Sequence, residues 1–254
     1  MSLSIIRKHS PHHGERVSGA APSFLIVHYT ESPDVTDPDG YFMATIPRDD
    51  GTRVSAHYMI DIDGTATQYV GEDRRAWHAG ASEWEGVADI NSHSIGIELV
   101  NGGTKYGYTE FADAQIEALI ALSKDIMNRH GIPARHVLGH ADVAPGRKID
   151  PDYKFPWKRL AGAGVGVWPQ PIQSDFNDAA ALLRNDMTLK RALAAYGYNP
   201  ALDLPVLVTA FQRHFQPEAF TAPLPFAGTA NDETALRLSA LLRQKLAQEL
   251  ALKP

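Results

Sequence analysis

The sequence contains no cysteine, which excludes disulfides, thiolate metal sites and cysteine nucleophiles. No apolar run approaches the roughly 18 residues of a membrane-spanning helix, so we expect no membrane span. The opening stretch, MSLSIIRKHS, has no apolar core of about seven residues and predicts no secretory signal there. Basic residues are few, with 24 Lys and Arg against 30 Asp and Glu and a net charge of -6. We expect no nucleic-acid partner, because such binding needs a basic face.

The remaining composition is that of an ordinary globular protein. Of 254 residues, 44% are hydrophobic and 21% are charged, which excludes general disorder. This length allows one large domain, or one medium-sized domain and a second, small domain.

Strand patterns occur along the first half of the chain. The run at 24–29 (FLIVHY) is apolar and β-branched, as expected of a buried strand. In the predicted strand 94–100, alternation puts Glu98 on the face opposite three aliphatic side chains. Asp63-Gly64 predicts a hairpin turn. The other predicted strands are 55–62, its return strand 65–70, and 136–140, which delivers His140 into a loop.

The strongest helix pattern covers 110–130. Its apolar residues recur at helical spacing, and Thr109 is a plausible N-cap. Gly131 suits the position just past the helix, and Pro133 follows as a stop. A long helix is therefore expected between two of the strands.

The chain changes character after residue 160. A Gly- and Pro-containing stretch at 161–173 is predicted to be a linker. Beyond it the spacing of apolar residues predicts a small helical domain at 174–254, after a first domain at 1–160. The predicted helices are 176–184, 187–196, 204–215 and 232–250.

Two histidines and one aspartate are candidate metal ligands. His28 and His140 each end a predicted strand, and Asp150 lies in the loop that follows His140. Two imidazoles and one carboxylate are a known zinc ligand set that leaves a fourth position for water. Taken singly, each His is more simply a satisfied polar residue, and Asp150 a turn residue before Pro151. The spacing alone does not bring the three together.

Two charged residues are candidates for proton transfer and charge stabilisation. Glu98 interrupts an apolar strand, where a carboxylate is unusual. It is either a general base or acid, or an exposed residue on a one-sided sheet. Lys148 lies two residues before Asp150 and would suit stabilisation of an oxyanion. Taken alone, it is more simply a solvated loop lysine like its neighbour Arg147.

Linked motifs connect these residues with a known family. In order along the chain they are FLIVHYT (24–30), SAHYMIDIDGT (55–65), AWHAG (76–80), NSHSIGIELVN (91–101), GHADVAPGRKIDP (139–151) and FPW (155–157). The chain thereby resembles, over roughly residues 20–160, the zinc-dependent N-acetylmuramoyl-L-alanine amidases related to AmpD, AmiD and the peptidoglycan recognition proteins. The resemblance and the patterns together predict an α/β fold, with a mixed central β-sheet flanked by helices, followed by a small all-α bundle.

The resemblance implies a role for each candidate. One Zn²⁺ per chain would be bound by His28, His140 and Asp150. Glu98 matches the proton-transfer glutamate of the family, and Lys148 its transition-state lysine. The residues expected on the substrate side of the cleft are Trp77, His78 and Asn91.

The sequence departs from some relatives. Phage-type members carry a tyrosine where this chain has Ala56, so Glu98 is the better candidate base. Many relatives have an arginine near 87–90, where it can meet a substrate carboxylate, whereas this chain reads VADI there. We interpret His57 as structural. We expect His12 and His13 at the surface, near the N-terminus.

The C-terminal stretch resembles a small helical peptidoglycan-binding domain. The resemblance is carried by LKRALAAYGYNP (189–200) and VLVTAFQRHFQP (206–217), and by the helix that follows 231–234. The expected core residues are Leu189, Leu193, Tyr196 and Phe211. The alternative is a helical bundle without a ligand.

The resemblance implies hydrolysis of the amide between the lactyl group of N-acetylmuramic acid and L-alanine, in peptidoglycan or muropeptides. A wall-binding region is useful only where polymer is present, so we expect the periplasm or cell envelope. Two alternatives stay open. One is a peptidoglycan-binding protein without catalysis, although such proteins on this fold lose a zinc ligand. The other is a zinc peptidase acting on the stem peptide, although the sequence has no HExxH.

Overall fold

The central feature of the protein is a six-stranded mixed sheet. A computed structural model describes residues 4–32, 39–43, 52–221 and 223–251. Its strands are β1 (Ile5–Arg7), β2 (His13–Glu15), β3 (Phe24–Tyr29), β4 (Tyr58–Ile60), β5 (Ala66–Gln68), β6 (Arg74–Ala76), β7 (Glu83–Trp84), β8 (Val87–Ala88), β9 (Ser94–Leu99) and β10 (Val137–Gly139).

The sheet order is β1-β5-β4-β9-β3-β10. Strands β4, β9, β3 and β10 run parallel to one another, whereas β4 and β5 form an antiparallel hairpin. The predicted turn is confirmed: Gly64 has a φ of +88° and donates its N–H to the carbonyl of Asp61. Two smaller pairs, β2 with β6 and β7 with β8, lie outside this sheet.

Helices cover the sheet and build the C-terminal part. They are α1 (Gly40–Met43), α2 (Ile90–His93), α3 (Gly103–Tyr106), α4 (Asp113–His130), α5 (His140–Val143), α6 (Trp157–Gly162), α7 (Gln173–Leu182), α8 (Asp186–Tyr196), α9 (Leu204–Phe215) and α10 (Asp232–Ala251). The mixed sheet, its flanking helices and the C-terminal helices confirm the predicted fold class. None of the helices in the described ranges has the length and apolarity needed to cross a membrane.

Helix α4 packs its apolar side on the sheet, as its periodicity predicts. Gly131 ends it in the left-handed conformation. The predicted start is wrong, because the helix begins at Asp113 and Ala112 stands at the N-cap. Thr109 is engaged elsewhere, since its carbonyl and hydroxyl oxygens accept hydrogen bonds from the amide of Asn101.

Strand β3 divides the interior into two cores. Leu25 and Val27 join a cluster with the buried side of α4, on one face of the sheet. Phe24 and Ile26 point the other way and belong to a cluster that contains residues of α8, α9 and α10. By alternation, His28 lies on this second face.

The C-terminal helices are therefore packed against the sheet half of the protein. All four expected core residues of this region are buried. At its edge, the β7–β8 hairpin contacts the end of α8, where the N–H of Glu85 donates to the carbonyl of Gly197. The segment between α6 and α7 runs from 163 to 172, inside the predicted linker. The domain boundaries themselves stay predictions.

Candidate active site

The candidate residues lie where parallel strands end. His28 is the next-to-last residue of β3, and Glu98 is the next-to-last residue of β9. The two residues are register partners on adjacent strands. His140 directly follows β10, the strand on the other side of β3. Because carboxyl ends of parallel strands share one edge of a sheet, this topology gathers distant residues into one site.

His28, His140 and Asp150 form a buried cluster suited to a metal ion. The Nδ1 atom of His28 lies 3.0 Å from Nδ1 of His140 and 2.9 Å from Oδ2 of Asp150. The distance from Nδ1 of His140 to the same oxygen is 3.1 Å. The three residues are 1%, 3% and 7% exposed, respectively. Three possible ligand atoms thus lie close together. The spacing of these residues in the sequence could not show this.

The second ring nitrogen of His140 is held by the backbone. Its Nε2 lies 3.0 Å from the carbonyl oxygen of Ala79. Because a carbonyl only accepts, we assign the ring proton of His140 to Nε2. The lone pair of Nδ1 is then directed at the cluster, as a metal ligand requires.

A chain of hydrogen bonds fixes His28 in the same way. The hydroxyl of Ser94 donates to the carbonyl of Ile90 at 2.6 Å, so its oxygen accepts from Nε2 of His78 at 3.1 Å. Nδ1 of His78 consequently accepts from Nε2 of His28 at 3.0 Å. This order leaves Nδ1 of His28 without a proton and with its lone pair towards the cluster.

The electrostatics match this arrangement. Burial, together with the neighbouring His140, lowers the pKa of His28 to about 4. Burial opposes ionisation of Asp150, but its interactions with His140 and His28 hold the pKa of the carboxyl well below its usual range. A neutral imidazole beside an ionised carboxylate is the state in which these groups bind a cation. The donor set and its protonation therefore fit a divalent metal.

Glu98 and Lys148 line the same cleft as the cluster. Both are partly exposed, and Glu98 lies on the sheet face that carries His28. The prediction that Glu98 faces away from Ile95, Ile97 and Leu99 is confirmed, since those three belong to the core beneath α4. Among the described residues, the cleft is lined by His28, Tyr29, Thr30, Glu31, Phe42, Val54, Ser55, His78, Glu98, His140, Lys148 and Asp150.

Of the three residues expected on the substrate side, one lines the cleft and two do not. His78 lines the cleft, but the residue is only 9% exposed and its ring is hydrogen-bonded to His28. Asn91 is buried behind the cleft, where its Oδ1 accepts the N–H groups of His78 and Ala79. Trp77, like Asn91, is absent from the lining formed by the described residues. These positions favour support of the site by His78 and Asn91 over contact with a ligand.

His57 is structural, as predicted. It is fully buried, and burial lowers its pKa to about 3. Its Nδ1 accepts the N–H of Gly96 in strand β9. The expectation that His12 lies at the surface is wrong, because the residue is 3% exposed. Its ring is stacked on Trp77 and its Nδ1 lies 3.1 Å from the carbonyl oxygen of Val54.

Sequence reasoning singled out neither Ser94, which accepts a hydrogen bond from His78, nor Asp142, which accepts the N–H of Gly139 beside His140. Ser94 opens an apolar strand and Asp142 follows His140 by two residues, so each is a polar residue in a buried segment. That pattern is the available signal, but it does not reveal which atoms the side chains meet.

Comparisons with known proteins agree with this geometry. The model of the Amidase_2 family, N-acetylmuramoyl-L-alanine amidase, matches residues 18–153. AmiD of Escherichia coli (strain K12) is 36% identical in an alignment that covers 87% of this chain and 82% of that protein. The chain belongs to the N-acetylmuramoyl-L-alanine amidase family. The predicted family and enzyme class are thereby confirmed.

Solved structures of the amidase family extend the likeness. The complex of E. coli AmiD with anhydro-N-acetylmuramic acid-L-Ala-D-gamma-Glu-L-Lys has a TM-score of 0.72 at 35% identity, covering 91% of this chain and 93% of that one. AmpDh3 of Pseudomonas aeruginosa in complex with anhydromuramic pentapeptide has a TM-score of 0.77 at 30% identity, covering 94% of this chain and 98% of that one. AmpD of Enterobacter cloacae, a 1,6-anhydro-N-acetylmuramyl-L-alanine amidase, is 38% identical to this chain. The alignment covers 59% of this chain and 85% of the length of AmpD.

Proposed function

We propose that the protein is a zinc amidase that hydrolyses the bond between the lactyl group of N-acetylmuramic acid and L-alanine. The observation that carries this proposal is the convergence of His28, His140 and Asp150 in one cleft with Glu98 and Lys148. Membership of the amidase family supplies the reaction class.

The residues that would hold zinc are His28, His140 and Asp150, through Nδ1, Nδ1 and Oδ2. Two imidazoles and one carboxylate are a set found in catalytic zinc sites, where a fourth position stays open for water or substrate. When bound, zinc supplies Lewis-acid polarisation of the carbonyl and a water of lowered pKa. His78 and the carbonyl of Ala79 keep the two imidazoles in the ligating tautomer.

Glu98 transfers protons in the proposed reaction, and Lys148 stabilises negative charge. Glu98 stands on the strand next to His28, so its carboxylate reaches the same space and accepts the proton of the attacking water. It then returns that proton to the leaving amine of L-alanine. Lys148 supplies a positive charge for the oxygen on which negative charge develops. Water is consumed, the amide bond breaks, and the products are a lactyl carboxylate and a free stem peptide.

The proposed substrates are peptidoglycan or muropeptides. The solved complexes of AmiD and AmpDh3 contain anhydromuramic peptides, and the similarity to both structures extends over nearly all of this chain. The intact ligand set favours this activity over peptidoglycan binding without catalysis. The family assignment favours it over a peptidase that cleaves within the stem peptide.

A product analysis tests the proposal. Zinc-loaded protein is incubated with a defined N-acetylmuramyl peptide, and the products are identified by mass spectrometry. We expect release of the whole stem peptide with a free L-alanine amine. A shortened peptide would instead identify a peptidase, and an unchanged substrate a binding protein. His28→Ala and His140→Ala variants should bind less zinc and lose turnover, whereas His13→Ala, which changes an exposed histidine, should lose neither.

We further propose that the helices of 174–254 form a peptidoglycan-binding-like region and that the protein acts in the periplasm or cell envelope. The periodicity of α8 and α9 and the expected core residues support the first point. Pull-down with insoluble sacculi tests the binding, and fractionation of cells expressing the natural gene tests the compartment.

A further inference from the structure

The segment that carries His140 and Asp150 is held from behind by the C-terminal helices. Asp142, in the short helix α5, is 2% exposed. Its Oδ2 accepts the N–H of Gly139 at 2.7 Å and lies 2.7 Å from Nδ1 of His214 in α9. Its Oδ1 accepts the hydroxyl of Tyr198, which follows α8, at 2.8 Å. One buried carboxylate thus has three donors, and two of them come from the C-terminal region.

Helix α9 contacts the same segment at further points. Arg213 forms an ion pair with Asp152, which is buried two residues beyond Asp150. Near the middle of the segment, Gly146 has a φ of +74°, and a Cβ there would lie 3.0 Å from Val206. One helix therefore contacts the segment beside both candidate ligands and between them.

His214 is itself locked in place. Its ring is 2% exposed and stacks on Trp157, with ring centroids 3.8 Å apart. Trp157 begins α6, the helix that follows the candidate site in the chain. The imidazole therefore has little freedom to follow a displaced carboxylate, so the position of Asp142 is dictated by the C-terminal region.

This contact reaches the ligands through the backbone. Gly139, whose N–H is bonded to Asp142, directly precedes His140, and the N–H of Ala141 donates to the carbonyl of Asp150 at 2.9 Å. A shift of Asp142 thus moves the backbone from which both side chains project. Groups behind metal ligands set ligand orientation and contribute to metal affinity.

We propose that His214, Tyr198 and Arg213 are positioning residues for the metal centre, so that the C-terminal region sets the metal affinity of the site. This inference rests on the zinc site proposed above. It assigns these residues a role that polymer binding does not require, because they face the catalytic segment and are buried or largely buried.

Zinc affinity of the full-length protein tests the inference without measuring turnover. His214→Leu and Tyr198→Phe are compared with wild type by competition with a chromophoric chelator, and their Co²⁺ forms by visible absorption. We expect each variant to bind zinc about tenfold more weakly and to show an altered Co²⁺ spectrum. His214→Asn keeps a donor near the position of Nδ1 and should recover part of the affinity.

Two matched controls separate positioning from general destabilisation. Tyr196 is also buried, two residues before Tyr198, and its hydroxyl has no hydrogen-bond partner among the described residues. Gln212 is buried in α9 but bonds to Thr229 and Gly228, away from the segment. Tyr196→Phe and Gln212→Met should keep wild-type zinc affinity, even where Gln212→Met lowers the melting temperature.

The outcomes are distinguishable. Wild-type affinity and an unchanged Co²⁺ spectrum in both His214→Leu and Tyr198→Phe overturn the inference, while the zinc site stands. If His214→Leu does not fold, Tyr198→Phe decides alone, because it removes a single oxygen atom. Failure of the wild-type protein to bind zinc overturns the proposed metal centre and this inference with it.

Discussion

At the scale of single residues, the positions of the hydroxyl and ring protons determine which atoms of the site can bind a cation. The hydroxyl proton of Ser94 is committed to a carbonyl, which orders the ring protons of His78 and then of His28. Each candidate ligand therefore presents a lone pair before any cation arrives. A site prepared in this way avoids the cost of choosing a tautomer during binding.

Glu98→Gln should retain zinc and the fold but lose turnover by roughly 10²–10⁴-fold, because an amide does not accept the proton of water. Single-turnover cleavage of a muropeptide by zinc-loaded protein measures this loss. Glu110→Gln, which changes an exposed carboxylate outside the cleft, is the control. Near wild-type cleavage by Glu98→Gln would assign the proton transfer to another group.

Lys148→Ala should lower kcat by about 10²–10³-fold, the usual effect of removing one group that stabilises an oxyanion. Substrate affinity should change much less, since the charge develops in the transition state. Steady-state kinetics with zinc-loaded protein separate the two parameters. An increase in KM at constant kcat would mean that Lys148 binds the ground state instead.

At the scale of elements, strand β9 is the support of the site. Gly96 faces the ring of His78, and a Cβ at this position would lie 2.5 Å from its Cγ. The ring is hydrogen-bonded at both nitrogens, so displacing it strains or breaks these hydrogen bonds. The absence of a side chain at Gly96 is therefore a condition for the position of His28.

Gly96→Ala should weaken zinc binding by about 10–100-fold and destabilise the fold by roughly 1–3 kcal/mol, because the added methyl displaces His78. Chelator competition and denaturant unfolding measure the two effects. Gly162→Ala, where a Cβ meets nothing within 4 Å, should leave zinc affinity unchanged. Equal zinc affinity in the two variants would contradict the proposed support by His78.

A second junction of elements depends on pH. Burial raises the pKa of Glu72, but hydrogen bonds from Arg129, His130 and Tyr58 outweigh this and lower it to about 2. The carboxylate is only 12% exposed and joins the end of α4 to the sheet. Because the folded pKa lies below the usual 4.5, the stabilisation is complete above that value and is lost as pH falls towards 2.

Glu72→Gln should therefore cost roughly 1.5–3 kcal/mol of unfolding free energy at neutral pH, and the difference from wild type should shrink as the pH falls below 4.5. Urea unfolding of metal-free protein over this pH range provides the measurement. Glu117→Gln, which removes one partner of an exposed ion pair, should show a small difference. A constant difference for Glu72→Gln down to the lowest pH would contradict the assignment.

Local sequence patterns predicted most elements, since each depends on nearby residues. Strand β3 matches its predicted bounds, and α9 is found at the predicted 204–215. His140 was predicted to end a strand at 136–140 and to enter a loop, but the strand ends at Gly139 and His140 is the first residue of α5. The error at the start of α4 arose because Thr109 is bonded to Asn101, a contact that helix periodicity does not contain. Similarly, His12 is buried by long-range contacts with Val54 and Trp77.

At the scale of the whole molecule, the two halves share an interior. Phe24 and Ile26 of the sheet lie in one hydrophobic cluster with residues of α8, α9 and α10. The sequence indicated two domains because the linker composition and the helical pattern are local signals. It could not indicate the shared cluster or the contact of His214 with Asp142, because these depend on how the halves pack.

Thermal unfolding should accordingly show a single cooperative transition. Zinc at about 100 times its Kd should raise the stability of the whole transition by about 2.7 kcal/mol, because the ion binds only the folded state. Differential scanning calorimetry with and without a chelator measures both features. Two transitions, of which only one responds to zinc, would show that the halves unfold independently.

The spacing of the ligands along the chain has a consequence for biosynthesis. His28 and His140 are separated by 112 positions, and His28 and Asp150 by 122. During translation His28 emerges early, its ligand partners follow only when the sheet half is nearly complete, and Tyr198 and His214 emerge later still. All three candidate ligands are therefore synthesised before the residues of α9 that contact their segment from behind, so this part of the site is completed only by the last third of the chain.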